Sequence, residues 1–248
     1  MTKSAMIAVL CAGVCLFGVT QPAEAADPIK VLAYPASPGE VAALNAAGLN
    51  ATGTNNLADI NAANLAMYDV FFAASEFGND LDTKASTLKN FLLGGGGILV
   101  GQANTLGPID WLPYPSTIYR AEVADITPGA SGHFNLTGYG MSHPIPFGLA
   151  TFDFGSQPED TIYVDTLGSG WHTIFVHDSD PNILGLAAAT YGDGRMLLWP
   201  DSLASGIPGD PSPTLICQAV QWVGIPEPMT LTLLALGAIA ILRRRRRA

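Results

Sequence analysis

Residues 68–102 read YDVFFAASEFGNDLDTKASTLKNFLLGGGGILVGQ. Tyr68 to Ala74 is an apolar run, rich in aromatic and β-branched residues and too short for a helix, so it predicts a buried, central strand. Leu81 to Leu93 carries leucines at helical spacing, with Asp82 or Thr83 near its start, and predicts a helix. The glycines from Gly94 to Gly97 stop that helix, and Ile98 to Gln102 resumes as a strand. Strand, helix and strand in this order form a crossover unit, which joins parallel neighbours of one sheet.

Upstream the same alternation is visible. Ile29 to Tyr34 predicts a strand ended by Pro35, and Pro38, Gly39 and Glu40 lead into a helix over Val41 to Ala47 that stops at Gly48. Asn50 to Thr54 is a weak second strand, and Leu57 to Ala66 reads as a second helix. Downstream of Gln102 the alternation breaks. Pro108, Pro113, Pro115, Pro128, Pro144 and Pro146 punctuate an irregular insertion. Strands are expected again at Thr161 to Thr166, Thr173 to His177 and Ile183 to Thr190. Tyr191-Gly-Asp-Gly194 then turns the chain into Arg195 to Trp199, a β-hairpin, and Thr214 to Val223 is a last helix. These elements predict an α/β fold: a three-layer sandwich with a mostly parallel sheet, an irregular insertion and a C-terminal hairpin and helix.

Both ends read as targeting segments. Lys3, the apolar run Met6 to Val19 and Ala23-Glu24-Ala25 make the basic, apolar and small-residue regions of a cleavable signal peptide, with a mature start near Asp27. At the other end Pro226-Glu227-Pro228 precedes an uncharged stretch from Met229 to Leu242, followed at once by Arg243, Arg244, Arg245, Arg246 and Arg247. Such a stretch, at about 1.5 Å per residue, makes roughly 21 Å of helix and crosses a bilayer only if the membrane thins or the arginines snorkel. The arginines are expected to stay cytoplasmic, which leaves the proline-bracketed glutamate on the outer side of the inner membrane. The expected division is therefore a signal peptide over 1–26, one α/β domain over 27–224 and a sorting and anchoring segment over 225–248.

Within the body the charge is lopsided. From Asp27 to Ile225 there are five basic and nineteen acidic residues, a formal charge of −14. Such a surface is repelled by phosphate backbones, so nucleic acid is not expected as a partner. Cys11 and Cys15 lie inside the signal, which leaves Cys217 alone in the body and without an internal disulfide; it reads as a buried structural thiol.

The tail resembles a PEP-CTERM sorting signal, with Pro-Glu-Pro, apolar stretch and arginine cluster in order at the right terminus. That resemblance implies recognition of Pro226, Glu227 and Pro228 by an exosortase-type processing enzyme after export, and residence at the cell surface or in extracellular matrix with exopolysaccharide or surface proteins as partners. The body resembles the class I glutamine-amidotransferase-like superfamily, in particular its ThuA-like branches. The residues that carry this are Tyr68-Asp69 entering an apolar strand, Gly94 to Gly97 before Ile98 to Val100, Ser142-His143-Pro144 with Gly148-Leu149, Tyr191-Gly-Asp-Gly-Arg195, and Gln221-Trp222-Val223. This implies a flavodoxin-like fold.

Glutaminase chemistry needs a cysteine on a sharp strand-to-helix turn, and Cys217 sits in the terminal helix instead. Ser75 and Glu76, at the carboxyl end of a strand, together with Gln102 and His143, form the candidate ligand cleft. Tyr34, Trp111, Tyr114 and Trp199 would add aromatic walls suited to a sugar, or else cover the core. His172 and His177, five residues apart on one strand, are expected on opposite faces and so do not make a metal pair. Asp178 and Asp180 suggest a loose cation turn or an Asx turn. No residue stands out as catalytic, and no motif requires a cofactor or metal. The sequence thus predicts an exported, non-catalytic body that binds glycan or protein, with a ThuA-like carbohydrate-active hydrolase as the alternative.

Overall fold

The computed structural model of the chain describes residues 27–36, 38–74, 80–101, 109–114, 133–145, 151–153, 162–199 and 213–224. Nine strands form one sheet: β1 Lys30–Tyr34, β2 Asn50–Gly53, β3 Val70–Ala74, β4 Gly97–Gly101, β5 His133–Leu136, β6 Thr151–Asp153, β7 His172–His177, β8 Leu184–Tyr191 and β9 Gly194–Trp199. The helices are α1 Pro38–Ala46, α2 Ala62–Leu65, α3 Ala85–Leu93 and α4 Pro213–Gly224.

The strand order is β2-β1-β3-β4-β9-β8-β7-β5-β6. β2, β1, β3, β4 and β9 pair in parallel, the order of a flavodoxin-like sheet with β9 in the fifth place. Four antiparallel pairings then carry the sheet onward through β8, β7, β5 and β6. The expected mostly parallel sheet is therefore corrected to an even division among the described strands. The reason lies in the long connection after β4, which lays down its own strands at the sheet's far side before the β8–β9 hairpin delivers β9 against β4.

Side chains alternate between two cores, as the period of a strand requires. Val31, Ala33, Val70, Phe72, Leu99, Leu197 and Trp199 face α1 and α4 and pack with Leu44, Ala219, Val220 and Val223. Leu32, Phe71, Ile98, Val100, Met196 and Leu198 face the other way, onto Leu65 of α2 and Leu88 and Leu92 of α3. Two buried faces explain why these strands read as continuous apolar runs.

Several expected elements differ. The helix over Leu57 to Ala66 is a 3-10 turn, Leu57–Asp59, and then the single turn α2. Two asparagines divide it: the Asn56 side chain accepts from Ala58 N, and that of Asn61 accepts from Asn64 N, so each starts a new turn. The strand expected at Thr161 to Thr166 is an isolated bridge, Tyr163 to Ile183, with a 3-10 turn at Val164–Thr166. The insertion holds β5 and β6, which the sequence concealed because each is short and β5 has one core residue, Phe134.

His172 and His177 are not on opposite faces. His172 pairs with Ala188 and His177 with Phe134, both members of the α4-side core, because register shifts around Phe175 reset the alternation. Cys217 falls on α4, and its side chain lies outside the described part. Among the described residues no helix is long and apolar enough to cross a membrane. The signal peptide expected over 1–26 and the sorting segment and transmembrane helix expected over 225–248 fall outside the described residues.

Candidate functional site

His143 is one member of a packed aromatic and basic cluster. Arg195 is the second residue of β9, two before Leu197, so it shares the α4 face. Its Nη1 donates to the Trp222 carbonyl at 2.8 Å, and its guanidinium lies 5.1 Å above the Trp222 ring. That ring is 4.7 Å from the His143 ring, which is 5.4 Å from Tyr139. Tyr139 in turn stacks on His172 at 4.8 Å and 21°.

Local geometry brings Tyr139 and His143 there. Gly140 passes so close to the Ile174 carbonyl that a Cβ would collide with it, and its N–H donates to Thr137 Oγ1 at 3.0 Å. The resulting 3-10 turn, Gly140–Ser142, ends at His143, whose Nδ1 accepts from Ile145 N at 3.4 Å. Burial, with the charges of Arg195 and His172 added, lowers the His143 pKa to about 4. Burial also raises the pKa of Tyr139. An imidazole that holds no proton until about pH 4 is a weak general base near neutrality. The cluster orders the end of α4 against β7 and β9 and does not present a reactive group.

The Arg195–Trp222 end of the cluster sits at the amino ends of the parallel strands, while His172 is level with Leu99 in the middle of β4. Val223 packs where a Cβ on Gly97, the first residue of β4, would stand, and Gly224 approaches Val70, the first residue of β3. Open α/β sheets hold ligands at the carboxyl ends, roughly 13 Å away along a strand the length of β4. Ala74 and Gly101, the last residues of β3 and β4, stand at those ends. Ser75, Glu76 and Gln102 lie outside the described residues, so only His143 of the candidate cleft is placed, beside Trp222.

Of the aromatic candidates, Tyr34 and Trp111 are buried in the α3-side core and Trp199 in the α4-side core. Burial, then the charge of Asp80, raises the Tyr34 pKa. Tyr114 is half-buried and donates its hydroxyl to the Thr190 carbonyl at 2.9 Å. Asp180 accepts from Asn182 N at 2.9 Å, an Asx turn. Gly94 caps α3, and Gly95, at φ 90°, turns the chain into β4. Among the described residues no group of three or more histidine, cysteine or carboxylate side chains is arranged to hold a metal.

Two hollows went unseen in the sequence. An open groove of about 640 Å³ runs over β1 and β2; Leu32 floors it, and Thr52, Thr54, Asn61, Asn64, Met67 and Tyr68 are on its walls. A second, of about 500 Å³, lies between the ends of α2 and α3, with Leu65, Tyr68, Phe91, Gly95 and Gly224 among its lining.

No protein-family model and no curated protein matches the chain. Solved structures do. A cytoplasmic protein of Salmonella typhimurium LT2 superposes with a TM-score of 0.57 at 11% identity, over 79% of this chain and 100% of that one. A second Salmonella typhimurium cytoplasmic protein gives 0.55 at 14%, over 79% and 98%. A ThuA-like protein from Bacteroides uniformis gives 0.50 at 12%, over 81% and 94%. The likeness is one of fold. The body shares its α/β fold with these proteins, one of which is ThuA-like.

Proposed function

We propose that the chain is an exported protein, sorted through its C-terminal segment to the cell surface or extracellular matrix, and that its α/β body is a non-catalytic binding module. The observation that carries the sorting half is the order of parts at the C-terminus. The last helix ends at Gly224, and IPEP, an apolar stretch and five arginines follow directly in the sequence. Proline resists helix and lacks an amide donor, so Pro226-Glu227-Pro228 offers an extended strip to an exosortase-type enzyme in the inner membrane. The apolar stretch holds the chain in that membrane until processing.

For the body, the polar groove over β1 and β2 supports a neutral, hydroxyl-rich ligand such as exopolysaccharide. Its hydroxyl and amide groups stand beside the Tyr68 ring, and a body of charge −14 disfavours polyanions. A polysaccharide pull-down with the purified chain tests this half; no retention on any neutral matrix removes it. The sorting half is tested by replacing Pro226, Glu227 and Pro228 with alanine. The variant is expected to stay at full length in the inner membrane, and unchanged size and release would reject the assignment.

A second reading, a carbohydrate-active hydrolase, is favoured by the fold shared with a ThuA-like protein. It requires reactive side chains at the carboxyl ends of the strands. Replacing Glu76 with Gln should then abolish any glycosidase turnover.

A further inference from the structure

The groove over β1 and β2 combines polar and apolar lining. Thr52 is level with Leu32 in the register of the two strands, and Thr54, two residues on, shares its face, so both border the groove that Leu32 floors. Asp59, Asn61 and Asn64 add further polar groups, and Ala63, Met67 and Tyr68 add apolar surface. Met67 is 59% exposed and belongs to neither core, whereas Tyr68 packs partly on the α3-side core. β2 is the edge of the sheet, so none of the described strands covers this side of the groove.

Its polar groups are held in place before any ligand arrives. Thr54 Oγ1 donates to Asp59 Oδ2 at 2.6 Å, and Asn56 Nδ2 donates to Asp59 Oδ1 at 3.3 Å. A carboxylate oxygen accepts more than one hydrogen bond, so each of the two keeps room for a further donor. Asn64 Nδ2 donates to the Asp59 carbonyl at 2.8 Å, which orients the amide and leaves its Oδ1 for a ligand. No lysine or arginine is among the described residues that line the groove. A ligand that satisfies this lining brings hydroxyl donors, an apolar face and no negative charge.

We infer that the groove is a neutral-saccharide subsite in which Asp59 accepts hydrogen bonds from two adjacent hydroxyls of one sugar ring, while Met67 and Tyr68 pack on the C–H face of that ring. The two oxygens of one carboxylate match hydroxyls on neighbouring carbons, and Asn64 and Thr52 serve the hydroxyls on either side. A uronic acid in this position sets its carboxylate against that of Asp59 with no lysine or arginine lining the groove to offset it, so acidic polymers are rejected. The inference rests on the reading of the body as a glycan-binding module and adds to it the residues and the class of sugar.

Affinity electrophoresis of the purified full chain through native gels cast with dextran, galactomannan or alginate tests it. Dextran or galactomannan, both neutral and rich in adjacent hydroxyls, is expected to retard the chain, and alginate, a polyuronate, is not. Asp59→Asn is expected to weaken the retardation about tenfold or more, the worth of hydrogen bonds to a charged group. Met67→Glu, at an exposed side chain whose replacement leaves the cores intact, is expected to do the same with an unchanged melting temperature, and Leu93→Glu, exposed outside the groove, is expected to have no effect. Retardation by a neutral polymer that survives both groove substitutions, or equal retardation by alginate, overturns the subsite and leaves glycan binding by the body standing. A chain that no neutral polymer retards overturns both.

Discussion

His143 is buried against Trp222 and Tyr139, and its proton is held off until about pH 4, against an ordinary value of 6.5. Between these values the unfolded chain binds a proton that the folded chain refuses, so acid favours unfolding in that window. Above it this group adds no pH dependence, and below it the effect levels off. His143→Phe keeps a ring in the cluster and removes the titration. Melting curves from pH 7 to pH 4 are expected to fall more steeply for the native chain than for the variant, and parallel curves would contradict the burial argument. Two glycines make a second contrast at this scale. A Cβ on Gly97 would strike the Val223 carbonyl, which is backbone and cannot swing away, whereas one on Gly138 meets nothing within 4 Å. Gly97→Ala should cost about 1–3 kcal/mol or more by overpacking, and Gly138→Ala less than about 0.5 kcal/mol, read from urea midpoints. Neither outcome is legible in the sequence, because the partner of Gly97 lies more than a hundred residues away.

At the scale of elements, hydrophobic period and glycine stops placed β1, β3, β4, α3, the β8–β9 hairpin and α4 within a residue or two, except that α1 starts early, at Pro38, and that the first turns before α3 are 3-10. The period failed where side chains compete with the backbone. Asn61 caps α2 by accepting from Asn64 N at 3.0 Å and donates its own amide to the Ala58 carbonyl at 2.9 Å. Asn61→Ala should lower stability by about 1 kcal/mol with an unchanged denaturant slope. A larger loss with a changed slope would mean that α2 organises more of the sheet than its four residues suggest. The same failure of period explains His172 and His177, whose shared face depends on a register shift in β7 and β8 that five residues of sequence do not announce.

On the scale of the molecule, α4 is the element that closes the fold. Ala219, Val220 and Val223 cover the α4-side core over β3, β4 and β9. A chain ended at Gly224 is expected to unfold in one cooperative transition, while one ended at residue 212 should fail to fold, as judged by calorimetry and near-UV circular dichroism. Sequence alone determined the acidic charge, the alternation of strands and helices and the parallel half of the sheet, since each of these follows from local pattern and composition. Only the tertiary structure decided the antiparallel half, the groove over β1 and β2, the burial of Tyr34, Trp111 and Trp199, and the meeting of His143 with Arg195 and Trp222. These depend on contacts between residues far apart in the chain, whose free energy is settled by packing and desolvation that no local pattern encodes.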